Sequence, residues 1–185
     1  MKNGARVVKQ MLFGEMTERE ITVQKEVINY LKNISAEGKV GHAYVFCGPR
    51  GIGKRTVAGM FAAMLLCGSD SGIKPCGGCT ACRLYRNGTN PDFKKVTAEN
   101  SGAGVDEIRK ALSEMIIKPV YSPRKVFVIE DADELTVQAQ NSMLKTLEEP
   151  PEYAVLVLTA SNYNALLETI RSRVTRINLK RNSYS

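Results

Sequence analysis

An α/β fold built on a mainly parallel sheet is predicted by three features of the sequence. Helix-like and strand-like stretches alternate along the chain, as they do where crossing helices join parallel strands. Residues 126–129, within the stretch 125–129, and residues 154–158 are continuously apolar, which is typical of strands that are buried on both faces. A glycine-rich turn at 48–53 separates an apolar stretch from a helical one. The length of 185 residues suits one domain with a small insertion.

The first half of the chain supplies two helices and one strand to this fold. Residues 22–34 carry apolar side chains at helical spacing, which predicts a helix. The short apolar run at 43–47 predicts a strand that enters the glycine-rich turn, and residues 54–67 then predict a second helix. Residues 68–80 are rich in Gly, Ser, Pro and Cys, so we expect a loop or an insertion there.

The second half continues the alternation. Apolar runs predict strands over residues 125–129 and 154–158, and shorter strand-like stretches predict strands over residues 92–96 and 174–179. Helical patterns predict helices over residues 105–117, 136–147 and 165–171. Thr136 is the expected cap of the helix at 136–147, because a threonine hydroxyl accepts the first free N–H groups of a helix. Pro150 and Pro151 are expected to end it.

Composition excludes several classes of protein. An apolar fraction of 43% and a charged fraction of 24% argue against disorder, collagen-like repeats and coiled coils. No apolar run approaches the roughly 18 residues of a membrane-spanning helix. The first twenty residues lack the apolar core of a secretory signal, so we expect a cytoplasmic protein. The net charge of +7 is compatible with nucleic acid, nucleotide phosphate or an acidic partner, and decides between none of them.

A phosphate-binding loop is predicted between the first strand and the helix that follows it. The glycines of such a loop let backbone N–H groups turn towards phosphate oxygens, and its lysine reaches the β- and γ-phosphates. An ordinary glycine-rich turn is the alternative. Arg55 stands where Ser or Thr would bind Mg²⁺, and Thr56 is rotated about 100° further round the helix. The candidate nucleotide-binding residues are Gly48, Pro49, Arg50, Gly51, Ile52, Gly53, Lys54, Arg55 and Thr56.

An acidic pair ends the buried strand at 125–129. P-loop hydrolases place an Asp there to hold Mg²⁺, often followed by a Glu that orients water. Here the order is reversed, as Glu130-Asp131, and the longer Glu side chain displaces its carboxylate by about 1.5 Å. The alternative is that both acids are solvated or cap the next helix. Together with Arg55, the reversal predicts a site that binds ATP or ADP weakly or not at all.

Clustered cysteines predict a metal site. Cys67, Cys76, Cys79 and Cys82 supply thiols at a spacing that suits a structural, tetrahedral Zn²⁺ site. An iron–sulfur cluster is the rival, but the usual continuation after the third cysteine of that motif is missing, and free thiols are the other alternative. Cys47 lies in the first strand and is expected to be a small buried hydrophobic residue.

Several short motifs in order resemble those of the bacterial DNA polymerase III clamp loader, in its delta-prime and gamma/tau subunits. The resemblance covers residues 21–179 and includes the phosphate loop and the cysteines. Its further motifs are His42-Ala43-Tyr44-Val45-Phe46, Asn87-Gly88-Thr89-Asn90-Pro91-Asp92-Phe93, Gly104-Val105-Asp106-Glu107-Ile108-Arg109, Leu144-Lys145-Thr146-Leu147-Glu148-Glu149-Pro150-Pro151 and Ser172-Arg173.

The resemblance implies a RecA-like AAA+ P-loop domain, with a five-stranded parallel sheet and helices on both faces. It implies a first AAA+ domain over 21–180 with a small four-Cys zinc insertion at about 67–90, preceded by an extension at 1–20 and followed by a tail at 181–185. The family's lid and collar domains would follow this domain, and we do not expect them within these 185 residues. The resemblance implies that the chain is a component of the DNA polymerase III holoenzyme and acts in DNA replication.

The departures favour one kind of subunit. Arg55 and the Glu130-Asp131 order look more like delta-prime, a stator, than like the gamma/tau ATPases. The family's Ser-Arg-Cys motif appears as Ser172-Arg173-Val174, so the resemblance gives Arg173 the role of an arginine finger in a neighbouring subunit's ATP site. A solvated charge at a helix end is the alternative for Arg173. The implied partners are gamma/tau and delta subunits in a hetero-pentamer and, through that assembly, the sliding clamp and primed DNA, with no membrane.

Two other functions remain as hypotheses. The chain could be a gamma/tau-like ATPase itself, against which Arg55 and Glu130 weigh. It could also be a zinc-containing module that reads DNA sequence, but only Arg83 and Arg86 follow the cysteines closely, and no recognition helix rich in Arg and Asn lies beside them.

Overall fold

A parallel sheet forms the centre of the protein. The structure, a computed structural model, describes residues 24–70, 72, 74–98 and 105–180, so the predicted extension at 1–20 and tail at 181–185 lie outside it. Within these residues the strands are β1 (Ala43–Cys47), β2 (Phe93–Thr97), β3 (Lys125–Glu130), β4 (Ala154–Ala160) and β5 (Thr175–Asn178). These five strands are arranged in the order β2-β3-β4-β1-β5, and every neighbouring pair is parallel. The predicted five-stranded parallel sheet is confirmed.

Helices cover both faces of this sheet, as predicted. The described helices are α1 (Lys25–Ala36), α2 (Lys54–Leu66), α3 (Thr80–Arg86), α4 (Val105–Glu114), α5 (Val137–Ser142), α6 (Leu144–Glu148) and α7 (Glu168–Arg171), with short 3₁₀ turns at Ala132–Glu134 and Tyr163–Ala165. Residues of α1 and α2 pack on one face, and residues of α4 to α7 pack on the other. No helix of the described ranges is long and apolar enough to cross a bilayer.

The central strands explain the continuous apolar runs in the sequence. Every residue of β1, β3 and β4 is buried. Successive side chains point to opposite faces, so Val45 joins one core cluster while Phe46 joins the other. The edge strands β2 and β5 bury fewer of their residues, which is why their sequences are more polar.

Helix α2 is buried around most of its circumference. Its outer side is covered by α1 and α3, and its inner side packs on β3 and β4. This double cover explains a sequence that is apolar at nearly every position from Val57 to Leu66. The helix begins at Lys54, just after β1, and its C-cap is Cys67, so it joins the phosphate loop to the cysteines.

Two predicted helices differ in detail from the structure. The helix predicted at 136–147 is interrupted at Met143, whose N–H bonds to the carbonyl of Gln140 three residues back rather than four. Its start is confirmed, because the Thr136 hydroxyl accepts from the Ala139 N–H at 3.2 Å. The helix predicted at 165–171 is shorter and begins at Glu168. Here the Gln140 side chain accepts the Leu167 N–H at 2.9 Å and holds the preceding turn away from helical geometry.

Candidate phosphate and metal sites at the two ends of one helix

The phosphate loop lies at the carboxyl edge of the sheet. It follows β1, whose neighbour β4 is reached only after the chain has crossed to the far edge and returned. This reversal of strand order is the place where open α/β sheets bind ligands. Gly51 and Gly53 have φ angles of +75° and +89°, a conformation that side chains other than glycine rarely adopt. A Cβ on Gly48 would lie 2.8 Å from the Leu179 carbonyl oxygen, so this position also requires glycine.

Lys54 points back into this loop. Its side chain is 6% exposed, and its Nζ donates to the carbonyls of Gly48 (2.9 Å) and Pro49 (3.1 Å) and to the Ser161 hydroxyl (2.9 Å). Burial lowers the pKa of Lys54, and the nearby carboxylates of Asp131 and Asp133 partly oppose that shift. A phosphate bound in the loop would compete with these three acceptors for the ammonium group.

Arg55 pairs with both residues of the acidic motif. Its Nη2 bonds to Oδ2 of Asp131, and its Nε lies 3.4 Å from Oε2 of Glu130. The two carboxylates are nearly buried, with side chains 7% and 13% exposed, whereas the Arg55 side chain is 48% exposed. The sequence predicted Lys54, Arg55 and the acidic pair as members of one site, and the structure brings them together.

Further side chains hold the acidic motif in place. The Thr97 hydroxyl donates to Oε2 of Glu130 at 2.9 Å, and Lys95 Nζ lies 3.9 Å from its Oε1. Asp131 has a φ angle of +53°, and its N–H donates to the Thr159 hydroxyl at 2.9 Å. An aspartate tolerates this left-handed conformation better than most side chains do.

A second ion pair joins the loop to the turn after β3. Arg50 pairs with Glu134 in the 3₁₀ turn Ala132–Glu134. In the same turn, Oδ2 of Asp133 accepts the N–H groups of Ser161 (3.1 Å) and Asn162 (2.8 Å), which follow β4. The loop is therefore tied to the segments after β3 and after β4.

Several members of this site are not among the residues predicted from sequence: Lys95, Thr97, Asp133, Glu134 and Ser161. Ser161 carried a usable signal, because it directly follows a buried parallel strand and so had to lie at the same edge as the phosphate loop. Lys95 and Thr97 carried no such signal in the sequence, because their place beside Glu130 depends on which strand neighbours β3.

These residues do not fit the Mg²⁺ site of a P-loop hydrolase. Such a site needs a hydroxyl at position 55 and a carboxylate free to approach the ion. Here the position holds a guanidinium, which has no lone pair for a metal, and that guanidinium is bonded to the carboxylates themselves.

The cysteines lie at the other end of α2, about 20 Å along a helix of 13 residues. The Sγ atoms of Cys67, Cys76, Cys79 and Cys82 all lie within 4.8 Å of one another. A tetrahedral zinc site with bonds of about 2.3 Å holds its sulfurs about 3.8 Å apart, so the cluster fits one ion. The fifth cysteine, Cys47, is buried in the core cluster of β1, as predicted.

Hydrogen bonds prepare the sulfur atoms for a cation. The N–H groups of Cys76, Cys79 and Cys82 point at the sulfurs of Cys67, Cys76 and Cys79, at 3.4, 3.4 and 3.5 Å. The hydrogen bond from the Cys82 thiol lowers the pKa of Cys67 to about 4, and that same bond raises the pKa of Cys82. A metal ion binds cysteines as thiolates, so its binding would release these protons. The four-cysteine cluster could bind a metal ion.

Polar contacts attach this cysteine module to the rest of the domain. The Tyr85 hydroxyl in α3 donates to the Gly59 carbonyl in α2 at 2.9 Å, and the Asn90 side chain donates to the Ala81 carbonyl at 3.0 Å. The fully buried Asp92 accepts the N–H groups of Val120, Tyr121 and Ser122 at 2.7 to 2.8 Å. Asn90 and Asp92 belong to the Asn87–Phe93 motif, and these buried hydrogen bonds explain why the motif contains Asn and Asp at those positions.

Arg173 lies away from the phosphate loop, just after α7. Its Nη1 donates to the Thr169 carbonyl at 2.9 Å and to the Ser172 hydroxyl at 3.2 Å. Its Nη2 pairs with Oε1 of Glu148 in α6 at 2.9 Å. The side chain is 35% exposed, so the guanidinium is held at the surface by contacts with α6 and α7.

Comparisons with known proteins agree with these features. A protein-family model described as "DNA polymerase III, delta subunit" matches residues 23–183. The chain is 35% identical over 170 residues to DNA polymerase III subunit tau of Bacillus subtilis, which covers 92% of this chain and 30% of that protein. It is 40% identical over 134 residues to subunit delta′ of Pseudomonas aeruginosa, which covers 71% of this chain and 41% of that protein.

Solved structures agree as well. A gamma-subunit-related protein of Thermotoga maritima superposes with a TM-score of 0.64 at 28% identity, over 84% of this chain and 46% of that one. The RuvB branch migration motor of the same organism superposes with a TM-score of 0.57 at 16% identity, over 97% of this chain and 50% of that one, which supports the fold alone. The chain spans less than half the length of the two curated relatives. Because the family model covers most of its residues, this chain belongs to the DNA polymerase III delta subunit family, among the delta′, gamma and tau clamp-loader subunits.

Proposed function

We propose that this domain serves in a clamp loader as a delta-prime-like stator, which does not itself turn over ATP. The observation that carries the proposal is the pairing of Arg55 with Glu130 and Asp131. ATP hydrolysis in P-loop proteins depends on a metal ion held between the loop and these acids. A guanidinium in that place leaves the phosphate loop without its catalytic ion.

The contribution of the domain to catalysis is then made through Arg173. An arginine finger stabilises the charge that develops on the transferred phosphoryl group, and removing one costs about 10³- to 10⁵-fold in rate. Glu148 holds the guanidinium at the surface in the structure. Engagement of a neighbouring ATP would exchange this exposed carboxylate for a phosphate, which bears more charge.

The rest of the assembly follows from this role. The neighbours are gamma/tau and delta subunits in a hetero-pentamer that places the sliding clamp on primed DNA in the cytoplasm. Residues 21–180 form the first AAA+ domain, and lid and collar domains complete the subunit.

The cysteine module is proposed to hold Zn²⁺. Four sulfurs within 4.8 Å of one another leave no open position on a tetrahedral ion, so the ion is structural. When bound, Zn²⁺ supplies charge that keeps all the thiolates deprotonated and so closes the loop that follows α2.

The test is Arg173→Ala in the full-length subunit, assembled with its partners. We expect DNA-stimulated ATP turnover by the complex to fall at least about tenfold, while assembly measured by size-exclusion chromatography is unchanged. Arg176→Ala is the matched control, since Arg176 is exposed nearby and packs over the Tyr163 ring. Unchanged turnover in the Arg173 variant would refute the role.

A gamma/tau-like ATPase is the second candidate, favoured by the retained Lys54 and by the presence of tau among the relatives. In a reconstituted complex whose other ATP sites carry inactivating lysine substitutions, this candidate requires residual hydrolysis that Lys54→Ala abolishes. The stator predicts no such residual hydrolysis.

A further inference from the structure

The phosphate loop and the acidic motif are already joined by charge within the chain. Arg55 bridges from the first turn of α2 to Glu130 and Asp131, and Arg50 bridges from the loop itself to Glu134. In a P-loop hydrolase the corresponding connection runs through a divalent cation bound with the nucleotide. In this chain the connection consists of side chains, so it needs neither a divalent cation nor a nucleotide.

We infer that Arg55 takes the place of the divalent cation, so that Glu130 and Asp131 bind no Mg²⁺ and the phosphate loop keeps one arrangement with or without metal. The proposal concerns this chain alone. It is independent of the role of Arg173, because none of its tests involves a second subunit.

Charge balance supports the inference. Glu130 is bonded on Oε2 by Thr97 and approached on that same atom by Arg55, while Lys95 lies near its Oε1. Oδ2 of Asp131 is bonded to Arg55. A divalent cation could not use Oε2 of Glu130 or Oδ2 of Asp131 without displacing Arg55, and on any oxygen of the pair it would lie beside a guanidinium of like sign.

Burial supports it as well. The carboxylates are almost enclosed, and Asp131 is held in a left-handed conformation by the bond from its N–H to Thr159. That bond fixes the backbone from which the Asp131 carboxylate reaches Arg55. The ion pair is built into the end of the strand, and only Arg55 has an exposed side chain.

The inference has a consequence for how the domain behaves in an assembly. Where a nucleotide-bound metal joins loop and strand, that joint forms and breaks as ATP binds and is hydrolysed. Where Arg55 forms the ion pairs, the contact between α2 and the end of β3 does not depend on ATP. The domain therefore presents the same surface to its neighbours at every stage of their ATP cycle.

The experiment measures Mn²⁺ binding, as a paramagnetic substitute for Mg²⁺, to the full-length subunit by electron paramagnetic resonance, with and without ADP. We expect no binding at Glu130 and Asp131 in the native chain up to millimolar Mn²⁺. Arg55→Thr restores the hydroxyl and uncovers the acids, so we expect it to bind Mn²⁺ at least about tenfold more tightly than the native chain. Arg50→Thr is the matched control, because it removes a guanidinium from the neighbouring phosphate loop but leaves Glu130 and Asp131 paired with Arg55.

Adding Asp131→Asn to Arg55→Thr identifies the site, because this double variant should lose the gained Mn²⁺. Two results overturn the inference: Mn²⁺ binding by the native chain that Asp131→Asn abolishes, or an Arg55→Thr variant that remains folded by circular dichroism and gains no binding.

Calorimetric titration with ADP gives a second readout. Mg²⁺ should change the native affinity by less than about twofold, and an increase of tenfold or more contradicts the proposal. The Mn²⁺ arm decides alone if ADP binding is too weak to measure.

Discussion

The two ends of helix α2 neutralise negative charge in opposite ways. At its start, the carboxylates after β3 are paired with Arg50 and Arg55, so the chain supplies the cations itself. At its end, the sulfurs of four cysteines converge in a cluster that could bind a metal ion, and in the proposed site that ion supplies the positive charge. The difference teaches that metal dependence is decided by whether the fold places a basic side chain among the anionic ones, and not by the anionic residues alone.

Among the substitutions considered, loss of one cysteine of the cluster is expected to reduce stability the most. Cys82→Ala should release the metal and expose the module, because structural zinc contributes about 10 kcal/mol or more to the folding of small zinc modules. Cys47→Ala is the control, since Cys47 is equally buried but packs in the core. Metal content by mass spectrometry should fall to zero only in the Cys82 variant. Equal metal content in both variants would contradict the claim that the cysteine cluster binds the metal.

Loss of the Arg55 ion pairs should destabilise the fold less than loss of the metal. Arg55→Thr leaves two nearly buried carboxylates without their main partner, which costs about 1–3 kcal/mol. Chemical denaturation measures this value, and Asp131→Asn completes a double-mutant cycle. A coupling energy near zero would mean that the pairing contributes nothing and that Arg55 is only a surface charge.

Two glycines sharpen the contrast at the level of the backbone. Gly51 in the phosphate loop and Gly78 in the cysteine module both have open space where a Cβ would lie, but only Gly51 has a positive φ. Gly51→Ala should therefore cost about 1–2 kcal/mol, while Gly78→Ala should be neutral or slightly stabilising. Thermal denaturation distinguishes the two outcomes. Equal costs would show that the phosphate loop adopts another conformation in solution.

Tyr85 connects the two regions and gives the smallest expected effect. Burial, reinforced by the charge of Glu130, raises the pKa of Tyr85 to about 12. The folded state therefore holds the phenol proton more tightly than the unfolded chain, whose tyrosines ionise near pH 10. The stabilisation is complete below pH 10 and is lost as the pH rises towards 12.

Tyr85→Phe removes this component and the hydrogen bond to Gly59, at a cost of about 1 kcal/mol near neutral pH. The difference in stability between the native chain and this variant should shrink between pH 10 and pH 12. Tyr30→Phe controls for alkaline effects elsewhere, because Tyr30 is exposed. A difference that is independent of pH would show that the Tyr85 hydroxyl is solvated.

Much of the fold could be predicted because its signals are local. Buried parallel strands are apolar on both faces, so β1, β3 and β4 are visible as continuous runs, and Thr136 marks a helix start by its own side chain. The late start of α7 at Glu168 could not be predicted, because it depends on the Gln140 side chain reaching the Leu167 N–H. That contact forms only once the chain has folded back.

The sequence predicted the main residues of the candidate site, but not which of them form ion pairs with one another. Motif spacing alone identified Arg55 as a departure at the Mg²⁺ position and Glu130-Asp131 as a reversed pair. That these two departures bond to each other follows from β3 and α2 lying side by side, which a single sequence does not state. The pairing of Arg173 with Glu148 is of the same kind, since it joins two residues that are 25 positions apart in the sequence.

The most direct test follows both ends of α2 in one sample by hydrogen exchange and mass spectrometry. On removal of the bound metal, amide exchange should rise in residues 67–90 and stay unchanged in residues 130–134 and in the phosphate loop. Addition of Mg²⁺ should leave residues 48–56 and 130–134 unchanged in the native chain, and should slow exchange there in Arg55→Thr. Slower exchange of residues 130–134 in the native chain on adding Mg²⁺ would contradict the claim that Arg55 replaces the ion.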